Sequence, residues 1–271
     1  MTTQALRSVA DGVLIHTSRR MSTTTTLVLG LQGKRNRVPA LLVDPAWEAD
    51  ELLAIADHLD ALGAEVAAGF ATHAHHDHLL WHPRFGPDVV RWAAATSVRV
   101  ARERRGDLLR ELTGELAYPP EVLDAFGDVT ALPEPAAGIP DPHALLPATE
   151  VVVHDGHAPG HGALWLPGPR VLLAGDMLSD VELPLPFDDL SEGADVGTYL
   201  EGLDRLEPFV ARATVLVPGH GTPSTSPMRR LDADRRYLDA VMAGRTVDDP
   251  RLANPGMAAE HERITRLARE V

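Results

Sequence analysis

The chain has 271 residues, 25 of them basic and 39 acidic, which gives a formal net charge of −14. A surface this acidic repels phosphate backbones and anionic lipids, so nucleic acid and membrane are excluded as expected partners and a small molecule remains. The chain has no cysteine. Disulfides and thiolate ligands are therefore excluded, and any metal must be held by histidine and carboxylate.

The composition is typical of a globular protein, with 44% apolar and 24% charged residues. The first eleven residues lack the basic start and apolar stretch of a signal peptide. No apolar run is long enough to cross a bilayer. We therefore expect a cytoplasmic protein.

Short apolar runs alternate with longer helical patterns, which predicts an α/β architecture. In the first part of the chain a helix is predicted over Trp47–Leu62, where apolar residues recur at helical spacing and Gly63 ends the pattern. A turn at Gly33–Arg37 is expected to join two strands as a hairpin. The predicted strands are Val13–His16, Thr25–Leu31, Val38–Val43 and Val66–Thr72.

The second part begins with a proline-rich region, about 83–147, which we interpret as an insertion that ends in a surface loop from Pro133 to Pro147. Neither a repeat nor a linker is visible, so one domain over 1–271 is expected, with a C-terminal helical segment at about 228–271. The predicted strands are Val89–Trp92, Glu150–Val153, Ala163–Leu166, Val171–Ala174 and Thr214–Val217. The predicted helices are Val100–Leu112, Glu121–Phe126, Val196–Leu206, Met228–Ala243 and Met257–Arg269.

A cluster of histidines follows the strand that ends at Thr72, in the run His73-Ala74-His75-His76-Asp77-His78. In an extended segment His73 and His75 point to the same side, because side chains alternate along a strand. Imidazoles and a carboxylate so close together are costly to bury without a cation. The cluster therefore predicts a metal site.

Three later segments place a potential ligand in a turn next to an apolar strand. His161 stands in a Pro-Gly turn, Asp176 follows the strand Val171–Ala174, and His220 follows Thr214–Val217 through another Pro-Gly turn. Strand ends are where sheets deliver catalytic groups. Each segment alone is weak evidence, but all of them in this order indicate a shared site.

The four segments together resemble the metallo-β-lactamase superfamily, over about residues 14–243. Its H-x-H-x-D-H signature corresponds to His73, His75, Asp77 and His78. The resemblance implies a four-layer αβ/βα sandwich with metal ions at one edge between two sheets. It also implies that His73, His75 and His161 hold one metal, that Asp77, His78 and His220 hold a second, and that Asp176 bridges the two.

This ligand set suits two divalent ions, with Zn²⁺ preferred and iron or manganese as alternatives. Two such ions can share a hydroxide, because their charge lowers the pKa of bound water to about 7. The predicted reaction is attack of that hydroxide on an acyl carbonyl, and Asp77 is also a candidate to orient the nucleophile or deliver a proton.

The substrate class follows in part from the resemblance. Related β-lactamases place cysteine in the second metal site or lack the bridging aspartate, and related flavin-linked di-iron reductases carry glutamate where His75 stands. Hydrolysis of an ester, a thioester or a lactone of a small molecule is therefore predicted. A mononuclear iron oxygenase similar to persulfide dioxygenases and a non-catalytic metal-binding protein are the alternatives.

Other residues near these motifs have two open interpretations. Asp44 either fixes a ligand through a hydrogen bond or only ends a strand. His157 is interpreted as a neighbour of the site and Tyr199 as a helix-packing residue, although its hydroxyl is also a candidate oxyanion donor. The loop Leu178–Leu190 and the insertion at 83–147 either shape an apolar pocket or are ordinary surface loops.

Overall fold

The computed structural model describes residues 6–31, 36–114, 116–186 and 195–269. These residues form two β-sheets, seven α-helices and short 3₁₀ helices at Pro83–Phe85 and Pro250–Ala253. Within the described ranges, no helix combines the length and the apolar character that a membrane crossing requires.

The first sheet has seven strands that lie side by side in chain order. The first four strands are antiparallel, and each of the last three runs parallel to the strand before it. Val43 pairs with Phe70, so neighbouring parallel strands leave the sheet at the same edge. The strands are β1 (Arg7–Ala10), β2 (Val13–Thr17), β3 (Thr24–Leu29), β4 (Val38–Val43), β5 (Ala64–Phe70), β6 (Arg91–Ala93) and β7 (Thr130–Ala131).

The second sheet has four strands, β8 (Glu150–His154), β9 (His161–Leu166), β10 (Val171–Leu173) and β11 (Val215–Val217). They lie in the order β11-β10-β9-β8, with β10 and β11 parallel. Leu173 pairs with Val217, so these two strands also end together. Each sheet therefore delivers adjacent chain segments to one edge.

Three apolar cores separate four layers, which confirms the predicted αβ/βα sandwich. Phe70 and Leu41 of the first sheet pack with Leu164 and Leu173 of the second between the sheets. The other two cores lie between each sheet and its own helices. The helices are α1 (Ala49–Ala61), α2 (Ala95–Glu103), α3 (Arg105–Thr113), α4 (Pro120–Ala125), α5 (Val196–Val210), α6 (Pro227–Met242) and α7 (Met257–Leu267).

Helix α5 shows how the sequence pattern produces these layers. Its buried residues, among them Tyr199, Leu203 and Leu206, recur at three- and four-residue spacing and form one apolar stripe against the second sheet. Asp195 starts the helix, because its side chain accepts a hydrogen bond from the Thr198 N–H at 2.6 Å. Tyr199 lies in this core, as the packing interpretation predicts.

The region from 83 to 147 differs most from the prediction. One strand lies at Arg91–Ala93 instead of Val89–Trp92, and the predicted helix Val100–Leu112 is two helices that meet at Arg104. The chain bends there with φ −108° and ψ 12°. Apolar residues keep helical spacing on both sides of this bend, so periodicity alone does not reveal it.

Other boundaries are closer to the prediction. The loop Pro133–Pro147 contains no strand or helix, as expected, whereas β1 and β7 were not predicted. The predicted turn Gly33–Arg37 falls largely outside the described residues, as does the end of the predicted loop Leu178–Leu190 from Phe187 onward.

A buried arginine ties the C-terminal region to the loop that follows β10. Arg251 is 4% exposed, and its Nη1 lies 2.5 Å from Asp234 Oδ1 on α6. The same nitrogen donates to the carbonyl oxygens of Ser179 and Glu182, at 3.1 and 3.0 Å. The buried guanidinium of Arg251 therefore holds the loop after Asp176 in place.

Replacement of this arginine is expected to destabilise the fold strongly. Arg251→Met leaves Asp234 buried without its partner, so the free energy of unfolding in denaturant should fall by about 3–5 kcal/mol. Arg235→Met is the matched control, since it removes more exposed ion pairs to Asp204 and Glu207 and should cost about 0–1 kcal/mol. Equal losses in the two variants would contradict this account.

Candidate metal centre

The predicted site residues follow strands that end at one edge of the two sheets. In the first sheet, Asp44 follows β4 and the histidine cluster follows β5. In the second sheet, Asp176 follows β10 and His220 follows β11. His157 lies in the turn between β8 and β9, and His161 is the first residue of β9. The strand order therefore explains how distant parts of the chain meet.

The segment from His73 to His78 is a series of bends and turns instead of an extended continuation of β5. This corrects the geometry expected from strand alternation, because β5 ends at Phe70. His73 and His75 still meet, with His73 Nε2 and His75 Nδ1 2.9 Å apart. The turn directs Asp77 and His78 to the same space.

A first group of potential ligands contains His73, His75, His157 and Asp176, with ligand atoms within 4.8 Å of one another. His157 Nε2 lies 3.3 Å from His75 Nδ1 and 3.6 Å from Asp176 Oδ2. His73 Nε2 lies 3.4 Å from the same carboxylate oxygen. Three imidazoles and one carboxylate therefore converge on one point.

A second group contains Asp77, His78 and His220. Asp77 Oδ2 lies 3.2 Å from His220 Nε2 and 3.3 Å from His78 Nε2. Asp176 reaches this group as well, with Oδ1 3.3 Å from His78 Nε2 and Oδ2 3.2 Å from His220 Nε2. Asp176 thus lies between the two groups, where the resemblance places a bridging carboxylate.

His161 belongs to neither group, and His157 stands where the sequence analysis places His161. His161 is fully buried, and its Nε2 accepts a hydrogen bond from the Asp176 backbone N–H at 3.1 Å. His157 Nδ1 contacts the Leu185 carbonyl at 3.1 Å, which leaves Nε2 facing His75 and Asp176. The geometry favours His157 as the ligand and His161 as a support for Asp176.

Two glycines make the close approach of these segments possible. Gly175 has φ +55°, and a Cβ there would collide with the ring of His161. A Cβ on Gly219 would collide with the carboxylate of Asp176. Gly175 and Gly219 are thus required because a side chain at either position would collide with the site. Gly175 also has a backbone conformation that favours glycine.

Asp44 supports the site from the first sheet. Its Oδ1 accepts the backbone N–H of Thr72 at 2.9 Å, and its Oδ2 lies 2.7 Å from Thr72 Oγ1 and 3.0 Å from His78 Nδ1. A carboxylate on the outer nitrogen of an imidazole fixes the orientation of the ring. The structure therefore agrees with the orienting role for Asp44.

The turn between β2 and β3 supports His220 in the same way. His220 Nδ1 lies 3.1 Å from the Met21 carbonyl oxygen and 3.2 Å from Thr23 Oγ1. Met21 and Ser22 both have positive φ, 52° and 55°, a conformation that is uncommon for residues other than glycine. This turn directs a carbonyl oxygen to the outer nitrogen of His220, so that Nε2 faces Asp77.

Removal of the threonine hydroxyl tests this support. Thr23→Val keeps the shape of the side chain but loses the contact to His220 Nδ1, so metal affinity should fall by roughly 10-fold. Competition with a chromogenic chelator measures that affinity. Thr26→Val, in strand β3 just after Thr23, is the control and should leave the affinity unchanged. The same loss in both variants would count against a specific role for Thr23.

Burial sets the charge of the two groups differently. Burial, with a further contribution from His75, lowers the pKa of His157 to about 4. Burial also lowers the pKa of His73 well below its usual value. In the second group burial acts in the same direction on His78, but Asp176 and Asp77 outweigh it and raise that pKa. His73 and His157 are therefore neutral imidazoles, the form that binds metal.

The donor set fits divalent metal ions. His78 Nε2 and Asp176 Oδ1 are buried and have no hydrogen-bond partner among the described residues, although both face the cluster. An unsatisfied buried nitrogen and carboxylate oxygen cost free energy that a cation between them recovers. Imidazole and carboxylate are ligands that zinc, iron and manganese accept.

The cluster lies at the bottom of a cleft of about 240 Å³. Asp77, Asp176 and His220 line this cleft although their side chains are largely buried, and Trp47 and Met257 contribute apolar walls. His76, which neither group includes, lies 3.5 Å from Glu111 through its Nδ1. A small molecule can therefore reach the cluster from solvent.

Glu182 lines this cleft and was not singled out by the sequence analysis. It is 9% exposed and forms a third group with Asp176 and His220, with an oxygen 4.0 Å from His220 Nδ1. Burial raises its pKa to about 7. Its position in the loop predicted to shape the pocket was the one available signal, because no motif marks it.

A family profile described as the metallo-β-lactamase superfamily matches residues 35–220, which is more than half of the chain. The chain belongs to the metallo-β-lactamase superfamily. Most members of this superfamily are metallo-hydrolases. A search among curated proteins found no match.

Solved structures of this superfamily share the fold. A β-lactamase domain protein from Burkholderia ambifaria is 22% identical with a TM-score of 0.66, over 99% of this chain and 87% of the other. The family protein TTHA1429 from Thermus thermophilus is 22% identical with a TM-score of 0.63, over 96% and 90%. TTHA1623, solved in a di-iron-bound form, is 25% identical with a TM-score of 0.58, over 79% and 96%.

Proposed function

We propose that this protein is a hydrolase that uses two divalent metal ions to cleave an ester, a thioester or a lactone of a small molecule. The observation that carries the proposal is the position of Asp176. Its Oδ2 faces His73 and His157 of the first group and also His220 of the second. Its Oδ1 lies next to His78 of the second group. A carboxylate shared by two ligand groups is the arrangement expected for a pair of ions.

In this proposal His73, His75 and His157 would hold the first ion, Asp77, His78 and His220 would hold the second, and Asp176 would serve both. His157 replaces His161 in the first set for the geometric reason given above. When bound, such a pair supplies an activated water nucleophile and polarises the acyl carbonyl. Zn²⁺ is the proposed metal, with iron or manganese as alternatives.

The surrounding residues hold this machinery in place. Asp44 and the Met21 carbonyl orient His78 and His220 through their outer nitrogens. His161 holds the backbone of Asp176. Asp77 lies at the floor of the cleft beside Thr23 Oγ1, at 3.5 Å, where we assign it a second role in orienting water or passing a proton to the leaving group.

The choice of an acyl substrate rests on the donor set and the cleft. The absence of cysteine excludes the thiolate ligand of many related β-lactamases. A net charge of −14 disfavours nucleic acid as substrate. The cleft is small and partly apolar, which suits a compact acyl compound instead of a polymer.

The experiment is elemental analysis of protein purified without added metal, followed by assays with acyl esters, thioesters and lactones. We expect two equivalents of metal and hydrolysis of at least one substrate class. One equivalent of iron, with oxygen consumption on glutathione persulfide, would favour a mononuclear oxygenase instead. Two bound metals without turnover of any acyl substrate would favour a non-catalytic metal-binding protein.

A further inference from the structure

A second recess of about 300 Å³ adjoins the metal cleft and shares three wall residues with it, Met21, Glu182 and Met257. Its own walls include Val181 in the loop after Asp176 and Pro255 just before α7. The two cavities therefore meet along the side chains of these three shared residues. None of the residues in the first two ligand groups lines the recess.

The polar groups around the recess are largely committed to other partners. Arg19 forms ion pairs with Glu48 and Asp50. The Asn254 amide donates to the Val181 carbonyl oxygen at 2.7 Å. The surface left for a ligand therefore comes chiefly from the methionine, valine and proline side chains.

Glu182 stands at the boundary between the two cavities, with 9% of its surface exposed. Its carboxylate accepts no hydrogen bond from the described residues and lies 4.0 Å from His220 Nδ1. The apolar walls of the recess beyond this passage disfavour a second carboxylate on a bound molecule and accept an uncharged chain.

We propose that this recess, which we call the side recess, is the subsite for an uncharged aliphatic acyl chain. The inference rests on the proposed function, since it assumes that the acyl carbonyl lies at the metal cluster. The chain then passes Met21, Glu182 and Met257 and fills the space beside Val181. Hydrolysis breaks the acyl–oxygen bond, water supplies the new oxygen, and the fatty acid and the alcohol are released.

The size of the side recess sets the chain length. Its volume of about 300 Å³ is space for a chain of several methylenes. Each methylene moved from water into apolar surroundings is expected to raise kcat/KM by about two- to fourfold. The effect should stop once the chain fills the recess.

The test uses metal-loaded protein and the 4-nitrophenyl esters of acetate, butanoate, hexanoate and octanoate. In the unchanged protein kcat/KM should rise from acetate to hexanoate, and the monoester of adipate should be at least 10-fold poorer than hexanoate. Val181→Phe and Pro255→Phe narrow the side recess from two sides, so each should lower the hexanoate-to-acetate ratio by about 10-fold or more. Val90→Phe, at an exposed position that lines neither cavity, should keep the ratio.

The outcomes separate this inference from the proposed function. Hydrolysis of the acetate ester without any preference for longer chains would show that the side recess is not an acyl subsite. The hydrolase proposal would then still stand. If no ester is hydrolysed, calorimetry with sodium hexanoate and sodium acetate decides. Hexanoate that binds at least 10-fold more tightly, with the difference lost in Val181→Phe, supports the recess, whereas equal binding overturns it.

Discussion

Asp176→Ala is expected to lower metal content and abolish hydrolysis together. The side chain is 5% exposed and lies within 3.4 Å of His73, His78 and His220. Its removal takes a ligand and a negative charge from both groups at once. Hydrolysis should fall by more than about 100-fold, the upper end of losses seen for residues that only orient ligands. Elemental analysis and the acyl assay measure the two effects on the same preparation.

The control for this variant is Asp88→Ala, since Asp88 is exposed and lies outside the cleft. It should retain full metal content and full activity. Circular dichroism of both proteins checks that the fold is intact. Full activity of the Asp176→Ala variant would contradict the two-metal mechanism.

The second large effect distinguishes two histidines on either side of the Pro-Gly pair that precedes β9. His157→Gln should lose metal from the first group, because the His157 Nε2 faces His75 and Asp176. His161→Gln should keep both metals, because a glutamine amide oxygen can still accept the Asp176 N–H that His161 Nε2 accepts in this structure. Elemental analysis should therefore give about one equivalent for the first variant and two for the second.

The opposite pattern would show that His161 is a metal ligand, as predicted from the sequence, and that His157 is not. The two variants carry the same substitution four residues apart. A general effect of glutamine on this part of the chain would therefore act on both variants alike and would not produce a difference between them. The thermal midpoint of each protein checks for partial unfolding. A loss of both metals from the His161 variant would also contradict the supporting role assigned to that residue.

The fold was predictable where one pattern extends over a whole element. Strands β3 and β4 are buried along almost their whole length, helices α1, α5 and α6 bury a regular apolar face, and the prediction found each of them within a few residues. Short elements carry too few residues for a pattern. That is why β7, with two residues, and the bend at Arg104 were missed.

The candidate site was predictable to the level of segments but not of every side chain. Each predicted ligand segment reaches the sheet edge, because the strand order brings the ends of β5, β10 and β11 together. The choice between His157 and His161 depends on which imidazole faces the cleft. Spacing cannot decide this, because the two residues lie close together in the sequence, on either side of one Pro-Gly pair. Glu182 was missed because its closeness to His220 arises only from folding.

The most direct test of the central claim is anomalous X-ray scattering from crystals of the metal-loaded protein. We predict two peaks, one among His73, His75 and His157 and one among Asp77, His78 and His220, with Asp176 adjacent to both. A single peak, no peak, or a peak bound to His161 instead of His157 would contradict the account.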